Sequence, residues 1–328
     1  MANYNIPYFP FYSELTMSRM VMVAAAQSGP VLRNESRKDT VERLLAMMRS
    51  AHRQGSDLVV FTECALTPFF PHWYMDDPSE VDQYFEMEMP SEQTEVLFKE
   101  AARLKIGFQL GYAERVEQDT AVRYYNSSIL VNKEGQIVGK FRKIHLPGYH
   151  EIQPEHPFQN LEKYYFDVGD LGFRTWRSFG GVVGMCICND RRWPETYRVL
   201  GLRGAELILL GYNTPCHNPQ FPEMDSLVPF HNLLCLQSGA YQNGSWVVAV
   251  AKAGTEEGVT QLGQSCIIAP SGEVVAMCHT LSDEVIVHSC DLDATVPYKE
   301  GIFNFEKNRQ IQSYGPITQQ TKSTPPEH

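Results

Sequence analysis

From position 20 onward, short apolar runs alternate with longer stretches in which apolar residues recur every three or four positions. MVMVAAAQ has strand length, and KDTVERLLAMMRSAHRQG after it sets Val41, Leu44, Leu45, Met48 and Ala51 at helical spacing with Gly55 as a stop. DLVVFTE is again short and apolar, so residues 20–63 predict one β-α-β unit. TEVLFKEAARLKIG predicts a helix with Val96, Leu97, Ala101 and Leu104 on one face, and FQLGYAE the strand after it. SSILVNKEGQIVGKFRKIHL predicts two strands in a hairpin about Lys133-Glu134-Gly135. Residues 147–163 carry Pro147, Gly148, Pro154 and Pro157 without any period, the mark of a long functional loop.

The second half repeats the scheme. VVGMCIC predicts a strand, PETYRVLGLRG a short helix with Pro194 in its first turn, and AELILLGYN another strand. LVPFHNLLCLQSGAYQNG predicts a helix, SWVVAVAKAG a strand, SCIIAPSGEVVAM a hairpin about Pro270-Ser271-Gly272, and DEVIVHSCDL a last strand. No Pro/Ser/Gly linker divides the chain, so crossovers mixed with hairpins predict one α/β domain over 17–315 with a mixed sheet or a pair of sheets. Residues 1–16 read as an N-terminal extension and the polar stretch 316–328 as a flexible tail.

Composition narrows the function classes. The chain has 328 residues, 43% of them hydrophobic, enough for a substantial core. With 28 basic against 39 acidic residues the net charge is -11 and no Lys/Arg block occurs, which argues against nucleic acid and anionic membrane as partners. The opening segment lacks a basic n-region and a continuous apolar run, so neither a signal peptide nor an anchor is expected. Eight scattered cysteines fit reduced thiols in a cytoplasm better than a disulfide framework. The one close pair, Cys186 and Cys188, has no matching Cys/His pair elsewhere that would complete a zinc site.

Three reactive side chains end apolar runs in equivalent places: Glu63 in DLVVFTE, Lys143 in GKFRK and Cys188 in VVGMCIC. Ligands of open α/β sheets sit beyond the carboxyl ends of strands, so these three ends can converge on one pocket. A thiol near pKa ~8.5 is mostly protonated at neutral pH and needs a general base, a role open to Glu63. Lys143 and the Asn189 backbone N–H would then stabilise a tetrahedral oxyanion. In strand alternation Cys186 and Cys188 face the same way, so the pattern alone does not rank them.

FTECALTPFFP around Glu63, GKFRKIHLPG around Lys143 and CICNDRRWPE around Cys188 resemble the three motifs of the nitrilase (carbon-nitrogen hydrolase) superfamily. The similarity continues through NLEKYYFDVGDLGF, GYNTPCHNP, YQNGSWVVA and GIFNFEKNRQ, roughly Met17 to Gly315, and is strongest to the branch that hydrolyses N-carbamoyl-D-amino acids. The resemblance implies a four-layer α-β-β-α sandwich, Glu63, Lys143 and Cys188 as the catalytic set, no metal or organic cofactor, and a homo-oligomer, dimer or tetramer. It implies Glu162 as a second glutamate beside that set, with Glu151 the rival candidate. Where the family usually has a histidine, this chain has Asn160. Arg191 and Arg192 match positions that hold a substrate carboxylate, with a salt bridge to Asp190 or Glu195 as the structural alternative for one of them. His145, Asn213 and Thr214 match other pocket positions.

The reaction so implied turns an N-carbamoyl-D-amino acid and water into D-amino acid, carbon dioxide and ammonia through a thioester on Cys188. A β-ureidopropionase, a carbamoylputrescine amidase or a simple amidase would use the same trio, so only the residues around it distinguish them. A non-catalytic relic of the fold would be expected to have lost at least one of Glu63, Lys143 and Cys188, and all three are present.

Overall fold

The structure is a computed structural model, and it describes residues 18–118 and 121–326. The expected N-terminal extension over 1–16 lies outside the described residues. In chain order the first half runs β1 (Met20–Gln27), α1 (Arg37–Arg53), β2 (Leu58–Val60), α2 (Pro78–Asp82), β3 (Phe85–Glu86), α3 (Glu95–Leu104), β4 (Gly107–Gln118), β5 (Ala121–Val131) and β6 (Ile137–Arg142). The second half continues with α4 (Glu162–Tyr165), β7 (Thr175–Ser178), β8 (Gly181–Ile187), α5 (Pro194–Leu202), β9 (Leu207–Tyr212), α6 (Val228–Asn243) and β10 (Trp246–Ala251). It closes with β11 (Ala253–Glu256), β12 (Val259–Leu262), β13 (Cys266–Ile268), β14 (Val274–Met277), β15 (Glu284–Asp291), α7 (Phe305–Asn308) and α8 (Gly315–Gln319).

The strands form two principal sheets, β15-β1-β2-β4-β5-β6 with β3 beside β4, and β14-β13-β10-β9-β8-β7, while β11 and β12 pair by themselves. The expected pair of sheets is therefore present, and so is the four-layer sandwich. Strand alternation shows how the layers arise. Val21, Val23 and Ala25 of β1, with Leu58 and Val60 of β2, point into a core shared with Met185, Leu209, Val248 and Ile267 of the other sheet. Ala24, Ala26 and Val59 point the opposite way, onto Leu44, Leu45 and Met48 of α1 and Leu97 and Phe98 of α3. Strands buried on both faces must be apolar at every position, which is why MVMVAAAQ and DLVVF read as unbroken runs. On the outer side of the second sheet, Tyr197 and Leu200 of α5 and Leu236 and Ala240 of α6 pack against its other face and form the fourth layer.

Local signals set the element ends. Ser36 caps α1, accepting from the Asp39 N–H while the Asp39 carboxylate accepts from the Ser36 N–H. Pro194 opens α5, and α6 stops at Gly244, whose backbone is left-handed at φ +55°. Both expected hairpins form, β5 with β6 and β13 with β14. The sequence pattern gave no sign that β15 would return to pair antiparallel with β1, nor of the short strands β3, β7, β11 and β12. Among the described residues no helix is long and apolar enough to cross a membrane.

Two glycines bring the sheets together where it matters. A Cβ on Gly111 of β4 would stand 2.8 Å from Glu63 Cα, and one on Gly211 of β9 would stand 2.3 Å from Glu63 N. The backbone at Glu63 thus passes between one strand of each sheet, and only hydrogen-sized side chains leave it room.

Candidate active site

Glu63 lies just past β2, Lys143 directly after β6, and Cys188 directly after β8. β2, β4 and β6 share one direction, as do β8, β9 and β10, so the three residues meet at the carboxyl ends of both sheets. The strand alternation of Cys186 and Cys188 is broken at its last step. Cys186 stays in the core on the face of β8 that packs against α5, whereas Cys188 has φ +45° and starts a 3-10 turn over Cys188–Arg192. A non-glycine residue in the left-handed region is strained, and here the strain turns the thiol out of the strand and into a cavity. The leading N–H groups of such a turn, Asn189 among them, have no partner within it.

The trio is buried almost completely, with Glu63 at 0%, Lys143 at 1% and Cys188 at 5% exposure. Lys143 Nζ donates to Glu63 Oε1 at 2.7 Å and to Glu162 Oε2 at 2.5 Å. That contact decides between the two candidate glutamates: Glu162 joins the cluster, while Glu151 is on the exposed loop. Glu63 collects further donors, Asn126 Nδ2 at 2.7 Å on Oε1 and both the N–H and Nδ2 of Asn213 at 2.9 Å on Oε2. The Cys188 thiol donates to the Asn213 carbonyl at 3.2 Å.

These contacts separate the two carboxylates. Burial opposes the charge on Glu63, but Lys143, Asn213 and Asn126 outweigh it and hold the carboxyl below its ordinary range. Glu162 has one such partner and is pushed up to about 7 by burial, against the pull of Lys143 and with Glu63's charge adding to the rise. Burial opposes the charge on Lys143 too, yet Cys188, Glu162 and Glu63 keep it well above its ordinary value, so the ammonium is fixed. Burial and the Glu63 charge raise the Cys188 thiol to about 11. The resting state is accordingly a thiol beside a carboxylate, and proton transfer must accompany attack. Glu63, Glu162 and Cys188 offer ligand atoms within 4.8 Å of one another, but the Lys143 ammonium already bridges the two carboxylates and would repel a dication at that spot.

A cavity of about 300 Å³ opens over the thiol, and its wall includes Glu162, Asn189, Arg192, Asn213 and Thr214. The doubled arginine divides. Arg191 is 1% exposed and turns away from the cavity: Nη1 donates to the Cys188 carbonyl at 2.8 Å, Nη2 to Thr214 Oγ1 at 2.8 Å, and Nε to Asn232 Oδ1 at 3.2 Å. Its guanidinium also lies 4.2 Å from the centre of the Tyr212 ring. Arg192 is exposed on the cavity wall and forms no salt bridge with any described acidic residue, Asp190 and Glu195 included. His145 is likewise outside the cavity. Its ring meets Asp190 Oδ1 at 2.8 Å and stacks on Trp193 at 4.9 Å, an arrangement that fixes the turn behind the thiol. Asn189 Nδ2 adds a bond to the His145 carbonyl at 3.1 Å.

Two parts of the site carry no signal in the sequence motifs. Asn126, in the middle of β5, meets Glu63 only because β5 runs beside β4. Behind the loop that follows Glu63, buried Lys252 donates to Glu256 at 2.8 Å and to the Thr67 carbonyl at 2.6 Å. Glu256 in turn accepts the Phe69 N–H at 2.5 Å and the Val31 N–H at 2.9 Å, tying that loop to β11.

Comparison with known proteins bears on this geometry. Residues 22–300 match the family described as carbon-nitrogen hydrolase. An N-carbamoylputrescine amidase of Oryza sativa subsp. japonica is 29% identical over 301 residues, covering 88% of this chain and 92% of the relative. A nitrilase of Pyrococcus abyssi is 31% identical over 274 residues, covering 83% and 90% respectively. Among solved structures, a carbon-nitrogen hydrolase from Helicobacter pylori superposes with a TM-score of 0.78 at 23% identity, over 92% of this chain and 99% of that one.

Proposed function

The chain belongs to the carbon-nitrogen hydrolase family, and we propose that it hydrolyses the ureido group of N-carbamoyl amino acids, the D series in particular, to amino acid, carbon dioxide and ammonia. The observation that carries the carboxylate-bearing substrate is Arg192. It faces the cavity beside Cys188, and the one carboxylate on that wall, Glu162, is held by Lys143. The charge of Arg191 next door lowers the proton affinity of Arg192, so an anion is the ligand that relieves the pair. Preference for the D series rests on the likeness of CICNDRRWPE and GYNTPCHNP to that branch of the superfamily.

In this reading Cys188 attacks the ureido carbon as its proton passes to Glu63. Lys143 and the Asn189 N–H take the negative charge of the tetrahedral oxygen. Glu63 returns the proton to the departing nitrogen, ammonia leaves, and a carbamoyl thioester remains on Cys188. Glu63 then takes a proton from water as the oxygen attacks the thioester, the C–S bond breaks as Glu63 returns that proton to the Cys188 sulfur, and the carbamic acid released loses carbon dioxide to leave the free amine. Arg191 acts through Cys188 and Thr214 by fixing the turn; Arg192 holds the substrate carboxylate.

A second reading is favoured by the name of the Oryza relative, an N-carbamoylputrescine amidase. That substrate ends in an ammonium, which Arg192 would repel. Ammonia release across paired N-carbamoyl D- and L-amino acids, N-carbamoyl-β-alanine, N-carbamoylputrescine and a simple amide tests both. The highest kcat/KM is expected on an N-carbamoyl-D-amino acid, and preference for N-carbamoylputrescine overturns the reading. Arg192→Ala is expected to raise KM for carboxylate-bearing substrates roughly 10- to 100-fold, as for loss of a charge-assisted hydrogen bond, with little effect on neutral ureas. Arg191→Ala is expected to depress turnover of both classes together and to lower the melting temperature.

A further inference from the structure

His72 stands in the cavity wall at 3% exposure, and its imidazole forms no hydrogen bond with any described residue. It is wedged edge-on between Phe69, 4.8 Å away at 69°, and Phe158, 5.2 Å away at 65°. Two backbone bonds set it against the opposite segment, from the Gln159 N–H to the His72 carbonyl and from the Leu161 N–H to the Pro71 carbonyl, both 2.8 Å. Those bonds bracket Asn160, another residue of the wall, whose Oδ1 is buried and also without a partner. Buried polar groups are nearly always paired; Asn160 Oδ1 is closed off against Gly148, whereas the His72 ring and Asn160 Nδ2, neither of them bonded to a described residue, are left for a ligand.

We propose that His72 is a specificity-determining residue of this pocket: together with Asn160 it receives an uncharged polar group, a hydroxyl or carboxamide, on the substituent of a carbamoylated substrate. The proposal rests on the reading of the chain as a hydrolase of N-substituted ureas. Burial, assisted by the charge of Lys252, lowers the imidazole to about 3, so it meets the ligand neutral. A neutral imidazole has one donor and one acceptor, and Asn160 Nδ2 adds a donor. That set matches a hydroxyl or an amide and leaves nothing for an alkyl group to bond. Phe69 and Phe158 supply the apolar surroundings that make such bonds discriminating.

The test is a ratio between near-isosteric substrates. N-carbamoyl-threonine is paired with N-carbamoyl-valine, N-carbamoyl-asparagine with N-carbamoyl-leucine, and N-(2-hydroxyethyl)urea with N-propylurea. His72→Phe is expected to lower the polar-to-apolar ratio of kcat/KM roughly 2- to 10-fold, through KM, as for loss of a neutral hydrogen bond. His72→Gln restores a donor and acceptor and is expected to hold the ratio within about twofold. Asn160→Val, on the opposite segment, is expected to lower it independently. Binding of the same pairs to Cys188→Ala protein gives the ratio where turnover is absent. An unchanged ratio in His72→Phe and Asn160→Val, or equal shifts for Phe and Gln at 72, overturns the proposal. Failure of the carboxylate reading looks different: the alkylureas are hydrolysed and the carbamoyl amino acids are not, while the ratio is still read in the alkylurea pair.

Discussion

Cys188→Ala is expected to release no measurable ammonia from any ureido or amide substrate while the protein keeps its fold. Removing a nucleophile that forms the covalent intermediate costs at least about 10⁴-fold in kcat, because the remaining groups only bind and polarise the substrate. The fold should survive for local reasons. The thiol donates to the Asn213 carbonyl and its sulfur accepts a long bond from Arg191 Nη1, and both partners stay held without it, Asn213 by three bonds to Glu63 and Arg191 by those to Thr214 and Asn232. The left-handed backbone at 188 costs alanine about what it costs cysteine, since both carry a Cβ. An ammonia assay with a thermal melt checks both halves. Turnover within tenfold of the parent would remove Cys188 from the mechanism.

Glu63→Gln is expected to cost about 10²- to 10⁴-fold in kcat, the usual contribution of a positioned proton-transfer group. Its effect on the thiol should run the other way. The Glu63 charge is one of the causes that hold Cys188 near 11, second to burial, so a neutral side chain lowers that value while Lys143 and Arg191 go on favouring thiolate. Alkylation of Cys188 by iodoacetamide at pH 8 to 9 should therefore become faster in Glu63→Gln as hydrolysis collapses. Rates that fall together would mean that Glu63 maintains a standing thiolate instead of moving a proton during attack.

The legible and illegible parts of this site differ in a physical way. Glu63, Lys143 and Cys188 stood out because strand ends are fixed by where apolar runs stop, and all three runs stop at one end of the sandwich. The choice between Cys186 and Cys188 was not in the alternation, since the chain leaves strand geometry at Cys188 through a positive φ that period-2 reasoning cannot contain. Arg191 and Arg192 looked equivalent as neighbours. In a 3-10 turn consecutive side chains diverge by about a third of a turn, so one meets Asn232 and Thr214 while the other meets the cavity. His145 carried the signal of its motif, yet the motif records a bond to Asp190 and not a place in the cavity. Glu162 and Glu151 were separable only by which one the loop over 147–163 folds toward Lys143. Asn126, Lys252, Glu256 and His72 were silent because their roles come from contacts between elements remote in sequence.

The passage of Glu63 between Gly111 and Gly211 makes the enzyme a gauge of its own thickness. Glu63 has no slack of its own: its backbone is gripped by one strand of each sheet, and its carboxylate is anchored to Asn126 on one side and Asn213 on the other. A change that swells the layer between the sheets, such as a larger residue at Ala25, is therefore expected to register at Glu63 before it registers as unfolding. Catalytic rate and thermal stability are then separate currencies in this fold, and variants selected for a tighter or looser core will be sorted first by what they do to the distance between two glycines.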